Sequence, residues 1–290
     1  MCICAVKHFK DVGWVGVKNR DRNYKPTVHI KQSFRGGIER LYIWDEKTKY
    51  TEGLNEFGIG IISAAVATKK DEKEVANAAG EESFFSPDGK KIRTALLEKT
   101  LEKVISKVIE LEVPGNTFCF TKDECWLIEG AFTDEEMTDY QFKKKKIKKD
   151  ETCVRTNHGI MLGFAGYQDG PDADEDEKAS RLSSETRLKK TEAAIKKIKS
   201  AADMLNCISD DSSDKNPQLN PLRRSETHGS TILVTTGQIM LVPSTLTLSY
   251  RPIWSEIEFN FNRLDGETRK TQFEVVSKKK LASFNEFIVR

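Results

Sequence analysis

The order in which strand-like and helix-like segments follow one another constrains the fold of this chain most strongly. Residues 2–66 contain short alternating or apolar segments between turn signals, a pattern typical of strands. These segments are CICAVKH, WVGVKN, VHIKQSF, IERLYIW and GIGIISAAV. Two amphipathic helices are expected next, and the second, IRTALLEKTLEKVISKVIEL, has apolar residues at helical spacing and ends at Pro114 and Gly115.

The second half of the chain continues this alternation. NTFCFTKDECWLIEG predicts a hairpin, and SSETRLKKTEAAIKKIKSAADMLNCI predicts a third helix with an apolar stripe under a basic face. After a polar loop at residues 209–221, the last strands are expected at STILVTT, QIMLV, TLTLSY, EIEFNFN and TQFEVVS. This order predicts an α+β fold in which two antiparallel sheets are covered by helices. Since no long linker divides the 290 residues, a single domain over residues 1–290 is expected.

Bulk charge and hydropathy argue against two classes of partner. The chain has 47 Lys and Arg against 45 Asp and Glu, a net charge of +2, which gives no support for a nucleic-acid partner. The beginning of the chain lacks the charged start, apolar stretch and cleavage site of a signal peptide. No segment approaches the roughly 18 consecutive apolar residues of a membrane span. We therefore expect a soluble, cytoplasmic protein without a membrane partner.

Two runs of like charge interrupt the pattern of strands and helices. The basic run Lys143–Lys149 predicts a solvated loop, with contact to phosphates as the minor alternative. The acidic run DADEDE at 172–177 lacks the spacing and the glycine of an EF-hand, so a mobile acidic loop is expected there and calcium is not.

The cysteines give no sign of a framework. They stand at positions 2, 4, 119, 125, 153 and 207, with no CxxC pair and no Cys/His cluster at zinc spacing. We expect no disulfide framework, no metal site and no cofactor, so any functional cysteine acts singly.

Cys2 is the cysteine whose position raises a functional question. A methionine followed by a small residue is a substrate for methionine aminopeptidase, and removal of Met1 leaves Cys2 with a thiol and a free α-amine. The simpler interpretation is that Cys2 and Cys4 lie on one face of a first strand and point into a core.

Several polar motifs follow at strand or helix ends. VKNRDRNY places Asn19 and Asp21 at the end of the second expected strand, where a hairpin would bring Asp21 near the chain start. GLNEFGIGI contains Asn55, CVRTNHGIM contains Asn157 and His158, and SSETR contains Arg187. Each motif alone fits ordinary turn, core or surface chemistry. Their joint order carries more information than any one of them.

That joint order resembles the linear amide C–N hydrolases. This group includes choloylglycine hydrolases, penicillin V acylases and acyltransferase-like and acid-ceramidase-like relatives, all of them N-terminal nucleophile (Ntn) hydrolases. MCI together with NRD is also similar to the NRDE-type members of the superfamily. The resemblance covers the chain from Cys2 to about Arg187 and, more faintly, the final strands. It implies a four-layer αββα sandwich, a small-molecule amide substrate and a homo-oligomer, since most relatives assemble from several copies.

The resemblance also implies a role for each motif residue. Cys2 would be the nucleophile, Asp21 the partner of its amine, and Asn55 a contributor to the oxyanion hole. Asn157 would donate to the same oxyanion, and Arg187 would give electrostatic support.

The match departs from the family pattern beside Asp21. Many relatives read G-R-N-x-D where this chain reads V-K-N-R-D, so Lys18 occupies the arginine position and Arg20 stands between Asn19 and Asp21. Lys18, Asn19 and Arg20 are the candidate substrate-binding residues, and which cation faces the thiol is left open.

The chemistry of such a site needs no histidine. A thiol with a pKa near ~8.5 and an α-amine near ~7.7–8.0 exchange a proton at little cost, so the amine serves as base and later as acid for the leaving nitrogen. A Cys2 thioester would form in either hydrolysis or acyl transfer. Two alternatives stay open: a class II glutamine amidotransferase, whose members usually begin MCGI, and a degenerate Ntn fold that binds without catalysis, which Lys18 favours.

Overall fold

The computed structural model describes residues 2–22, 27–46, 48–66, 88–134, 138–208, 226–228, 231–252, 261–263 and 285–289. Within these ranges two β-sheets pack face to face, with helices on their outer sides. The α+β arrangement expected from the order of segments is confirmed.

The first sheet carries the beginning of the chain. Its strands are β1 (Cys2–Phe9), β2 (Gly13–Arg22), β10 (Cys153–Arg155), β11 (Glu226–His228), β12 (Thr231–Val242), β13 (Thr247–Pro252) and β15 (Asn285–Ile288). Their order is β10-β1-β2-β12-β13-β15, β11 pairs with β12, and every pairing is antiparallel. The first strand therefore lies inside the sheet, between its hairpin partner β2 and the edge strand β10 from mid-chain.

The second sheet is formed mostly by the segment between β2 and β10. Its strands are β3 (Val28–Arg35), β4 (Ile38–Asp45), β5 (Thr51–Asn55), β6 (Gly60–Ala64), β7 (Gly115–Phe120), β8 (Cys125–Phe132), β9 (Tyr140–Ile147) and β14 (Phe261–Arg263). They lie in the order β14-β3-β4-β5-β6-β7-β8-β9, antiparallel except that β14 is parallel to β3.

Four α-helices lie in the described part of the chain: α1 (Asp88–Ala95), α2 (Leu101–Glu110), α3 (Glu175–Lys196) and α4 (Ala201–Cys207). Apolar side chains of α1 and α2 pack with those of β6, β7 and β8. Apolar side chains of α3 and α4 pack with those of β1, β2 and β12. Each sheet thus has one face towards the other sheet and one face under helices.

Strand alternation decides which residues of β1 and β2 reach the space between the sheets. Cys2, Cys4 and Val6 belong to the core between the sheets, whereas Ile3 and Ala5 pack under the helices. The simpler interpretation of Cys2 and Cys4, as two small side chains on one core-facing side, is therefore confirmed as geometry.

The expected long helix after residue 90 is two helices. Residues 96–100 interrupt it, and Thr100 caps α2 by accepting a hydrogen bond from the backbone nitrogen of Lys103 at 3.3 Å. The cap competes with a continuous helix because threonine at an N-cap satisfies an otherwise unpaired amide. Most of the first expected amphipathic helix lies outside the described residues.

Both charged runs are predicted as loops, but at least half of each is regular secondary structure. The acidic run begins α3: Asp174 is its N-cap, and Glu175, Asp176 and Glu177 occupy the first turn, where the helix dipole favours negative charge. Residues 143–147 of the basic run lie in strand β9, which pairs with β8 along its full length, and Lys148 and Lys149 follow the strand. β9 ends the strand order of the second sheet, and exposed lysines on such an edge discourage pairing with other chains.

The last expected strands are recovered in part. STILVTT and QIMLV form one strand, β12, with a bulge between Thr235 and Gly237. The polar loop at 209–221 and the strand expected at TQFEVVS lie outside the described residues.

Candidate active site

The nitrogen of Cys2 is held by a side chain from mid-chain. It donates a hydrogen bond of 2.7 Å to Asn157 Oδ1, and both residues are buried, with Cys2 only 4% exposed. Asn157 follows β10, whose residues pair with β1 from Cys4 to Val6. The amide nitrogen of the same side chain donates to Ala65 O at 2.6 Å, at the end of β6. Asn157 therefore connects the first residue of β1 to the second sheet.

Helix α3 places a cation on the other side of Cys2. Arg187 is fully buried, its Nη1 lies 3.5 Å from Cys2 O, and the same atom lies 3.9 Å from Asp21 Oδ2. Burial lowers the pKa of Arg187, while Asp21 and Cys2 raise it. The structure thus brings Cys2, Asp21, Asn157 and Arg187 together, although they come from four separate parts of the sequence.

A polar network fixes the segment that carries Asn157. The hydroxyl of Ser184, on α3, accepts from Asn157 N at 3.1 Å and lies 2.7 Å from His158 Nδ1. From the second sheet, Asn116 Nδ2 donates to Thr156 O at 3.0 Å and to His158 O at 3.1 Å. Residues 156–158 are therefore held from both sides, which fixes the direction of the Asn157 side chain.

His158 gives this network a pH dependence. Burial lowers its pKa to about 4, helped by Arg181, Arg155 and Arg187 and opposed by Glu185. Because an unfolded histidine titrates near 6.5, the unfolded chain binds the extra proton between pH 6.5 and 4. We expect the free energy of unfolding to fall by about 1–3 kcal/mol over this interval, and His158→Asn to reduce the fall. Denaturant unfolding of both proteins at pH 7, 6, 5 and 4.5 measures it, and identical pH curves would contradict it.

A second buried network lies on the side of β2 that faces the other sheet. Lys18 Nζ donates to Glu52 Oε1 and, at 2.5 Å, to Ser63 O. Arg20 Nη1 donates to Glu52 Oε2 at 3.1 Å, and its Nη2 lies 3.4 Å from Asp45 Oδ2. In the register of β1 and β2, Arg20 stands opposite Cys2 and Lys18 opposite Cys4. Both cations therefore share the face that carries the two thiols.

This network interacts electrostatically with the thiols: Lys18 with those of Cys2 and Cys4, and Tyr50 with that of Cys2. Burial alone would lower the pKa of Lys18, but Glu52, Tyr50, Cys2 and Cys4 together raise it above its usual value. Burial raises the pKa of Tyr50 to about 12, with Glu52 and Cys2 acting in the same direction and Lys18 against them. At neutral pH the region between the sheets thus holds a charged lysine and a neutral phenol close to Cys2.

Two residues predicted from the sequence have other surroundings. Asn55 Nδ2 donates to Leu96 O at 3.1 Å and to Glu98 O at 2.9 Å, and its Oδ1 accepts from two backbone amides of the β5–β6 turn. Asn19 points to the helix side of the first sheet, where it donates to Ile208 O at 2.6 Å and accepts from Gln238 at 3.0 Å. Both side chains hold the fold, so we leave them out of the proposed site.

Three further residues contribute to the buried networks around Cys2, although the sequence motifs imply no role for them. Ser184 stands within SSETR, but the family resemblance implies a role only for the arginine of that motif. Glu52 lies in the short strand TEGLN, which is too short and too glycine-containing for its alternation to be recognised in the sequence. Its partners come from β2. Asn116 acts across the two sheets, and no local pattern indicates this.

Comparison with known proteins bears on the fold. No family model and no curated protein matches the sequence. Among solved structures, the C2A mutant of the conjugated bile acid hydrolase from Clostridium perfringens aligns over 100% of this chain and 97% of its own, with a TM-score of 0.53 and 11% identity. The chain has the Ntn-hydrolase fold. The αββα sandwich implied by the motif order is thereby confirmed.

Two further solved structures align with the chain at lower TM-scores. A Caenorhabditis elegans ortholog of N-acylethanolamine-hydrolyzing acid amidase aligns over 84% of this chain and 93% of its own, with a TM-score of 0.49 and 12% identity. Penicillin V acylase from Agrobacterium tumefaciens aligns over 87% and 83%, with a TM-score of 0.43 and 12% identity.

The described part of the Ntn fold offers neither a metal-binding cluster nor a helix that could span a membrane. No group of three or more His, Cys, Asp or Glu side chains is placed there to hold a metal ion. None of the helices described has the length and apolar character needed to cross a membrane.

Proposed function

We propose that the protein is an amidohydrolase that cleaves linear, non-peptide or acyl-amino-acid C–N amide bonds through a thioester on Cys2. The observation that carries this proposal is the 2.7 Å hydrogen bond between the nitrogen of Cys2 and Asn157 Oδ1. The Asn157 side chain is held by Ala65 O, its backbone is held by Ser184, and its Oδ1 is aimed at the nitrogen of a buried second residue. This arrangement has a direct use once that nitrogen is an amine. The Ntn fold supports the same reading.

Removal of Met1 turns this nitrogen into the base. The amine takes the proton of the Cys2 thiol, and the thiolate attacks the carbonyl carbon of the substrate amide. When the tetrahedral intermediate collapses, the C–N bond breaks and the amine returns the proton to the leaving nitrogen. Water, deprotonated by the same amine, then hydrolyses the thioester, releases the acid and regenerates the thiol.

The neighbours of Cys2 divide the remaining tasks. In this mechanism Asn157 orients the amine by accepting one of its hydrogens, in place of the oxyanion role that its motif implied. Arg187 holds the Cys2 carbonyl and is balanced by Asp21. Orientation matters because a displacement of about 1 Å in a reacting group costs on the order of 10²-fold in rate.

Lys18 and Arg20 supply positive charge on the side of Cys2 that faces the second sheet. Their donors are engaged with Glu52, Ser63 O and Asp45, so their proposed effect on the thiolate and substrate is electrostatic. A thiolate is favoured by a nearby cation in a region of low dielectric. The lysine that departs from the family arginine thus keeps the charge that the chemistry needs.

Trapping the covalent intermediate tests the proposal. The purified chain is incubated with a panel of N-acyl amino acids and simple amides, quenched in acid and measured by intact and peptide mass. We expect Met1 to be absent and an acyl adduct on Cys2, with none on Cys4. Glutamine in the same panel is the control for the amidotransferase alternative. A chain that retains Met1 while active, or an active chain with no adduct on Cys2, would contradict the mechanism.

A further inference from the structure

The outer face of strands β3–β5 carries a group of four cations that the proposed site does not use. Lys31 lies in β3, Arg40 in β4, Lys49 in the turn after β4, and Arg93 in helix α1. We call these four residues the basic cluster. In β4 the side of Arg40 is opposite to that of Leu41, which faces the core between the sheets, so the cluster lies away from Cys2.

Two aromatic rings bring the four cations together. The ammonium of Lys31 lies 3.4 Å from the ring centre of Trp44, and that of Lys49 lies 4.4 Å from it. The guanidinium carbons of Arg40 and Arg93 lie 5.6 Å and 6.0 Å from the ring centre of Tyr42. Tyr42 and Trp44 are two residues apart on one strand and share a face, so the four charges surround one patch.

The two guanidinium groups are fixed in place by neutral oxygens. Arg40 donates to Arg93 O at 2.5 Å and to Ser33 Oγ at 2.7 Å. Arg93 donates to Lys49 O at 2.9 Å and to Thr51 Oγ1 at 2.7 Å. Among the described residues, none of the four members of the basic cluster forms a salt bridge. The two guanidinium groups are therefore preorganised, and within the described ranges no carboxylate pairs with them.

One donor of this group is buried without a partner. Arg40 is only 4% exposed, and its Nε has no hydrogen-bond partner in the part of the chain that the structure describes. Buried polar groups are nearly always paired, so an orphaned donor points to a missing acceptor. Lys49 also has an unusual backbone conformation: its φ is 57°, a value that residues other than glycine rarely adopt. Strain of this kind is concentrated at binding sites.

The positive charges of the basic cluster also repel one another. Burial, together with the neighbouring charges of Arg93 and Lys49 and against that of Glu46, lowers the pKa of Lys31 to about 8. Burial likewise lowers the pKa of Arg40 and of Arg93. The inner pair of Lys18 and Arg20 is balanced by buried carboxylates, whereas no carboxylate of the described residues forms a salt bridge with the basic cluster.

We propose that the basic cluster binds a phosphoryl group with at least two negative charges, such as a phosphate monoester or a diphosphate. A multiply charged oxyanion neutralises several cations at once, including the guanidinium of Arg40 whose Nε is left without an acceptor among the described residues. The planar guanidinium groups of Arg40 and Arg93 present several donors in one plane, a geometry that suits the several oxygens of a phosphoryl group. This site is independent of Cys2 and stands whether or not the chain hydrolyses amides.

Calorimetric titration with inorganic pyrophosphate tests the site on the full chain at pH 7 and low salt. We expect saturable binding that weakens as salt is added, and a rise in Tm of roughly 5 °C when the ligand is about 100-fold above its Kd. A parallel arm uses vesicles containing phosphatidic acid, because a lipid phosphate monoester presents the same chemistry. Binding in either arm supports the site and identifies the source of the phosphoryl group.

Matched lysine variants decide whether the basic cluster is responsible. Lys31→Gln should weaken binding by about tenfold, whereas Lys199→Gln, which removes an exposed charge from the other helix layer, should not change it. Without ligand, Lys31→Gln should unfold at the same or a higher temperature, because it relieves repulsion. The proposal is overturned if neither pyrophosphate nor the vesicles bind, or if the two variants lose affinity equally.

Discussion

Replacement of Cys2 by alanine is expected to abolish amide hydrolysis, with a loss in kcat/KM of at least about 10⁴-fold. The variant keeps the α-amine and Asn157 but has no atom that can form the thioester. Cys4 is the matched control, since it lies two residues further along the same face of β1 and is fully buried. Cys4→Ala should retain most of the activity.

The two thiols differ in their surroundings more than in their place on the strand. Burial raises the pKa of Cys4 well above its usual value, with Lys18 acting against this and Cys2 and Glu52 in support. A thiol of this kind stays protonated and inert near neutral pH. Cys2 alone has its nitrogen hydrogen-bonded to Asn157 and its carbonyl near Arg187.

The measurement is kcat/KM for the amide that forms the adduct, together with the free energy of unfolding of each variant. Each cysteine replacement removes one buried sulfur, so a cost of about 1 kcal/mol is expected in both and separates packing from catalysis. Equal loss of activity in Cys2→Ala and Cys4→Ala, or full activity in both, would exclude Cys2 as the nucleophile. The degenerate binding module would then be the better description of this Ntn fold.

Local patterns predict the fold well where the environment of a segment is simple. The alternation of CICAVKH places its cysteines between the sheets, and the turn in NTFCFTKDECWLIEG lies between β7 and β8 as expected. Composition misleads at the two charged runs. Acidic residues start a helix as readily as they fill a loop, and the lysines of β9 are in a strand because β8 supplies the backbone partners.

The site is harder to predict because its contacts are distant in sequence. Cys2 and Asn157 are 155 positions apart, and the bond between them depends on the pairing of β1 with β10 and on Ser184 of α3. A motif indicates which residues recur together, but not which atom of an amide faces which partner. The saturated side chain of Asn55 shows this limit: its pattern suggests a donor for the oxyanion, while its hydrogens are already donated to the carbonyls of Leu96 and Glu98.

Glu52→Ala is expected to be the most destabilising replacement in the inner network, lowering the free energy of unfolding by about 3–5 kcal/mol. Glu52 is fully buried and accepts from both Lys18 and Arg20. Removing it leaves Lys18 with Ser63 O as its hydrogen-bond acceptor in a region closed to water. An uncompensated buried cation costs far more than the pair contributes, since the desolvation penalty is no longer offset.

Removal of both partners separates this explanation from simple loss of packing. Glu52→Ala with Lys18→Met should recover a substantial part of the loss, because the cation that was left without its carboxylate is gone, although Arg20 still lacks one acceptor. Urea unfolding of wild type, both single variants and the double variant gives the coupling free energy. Additive losses would show that the charges do not compensate each other. Because Lys18 also lies on the thiol face, the double variant should regain stability without regaining hydrolysis. That result would assign Lys18 a role in the chemistry of Cys2 as well as in the fold.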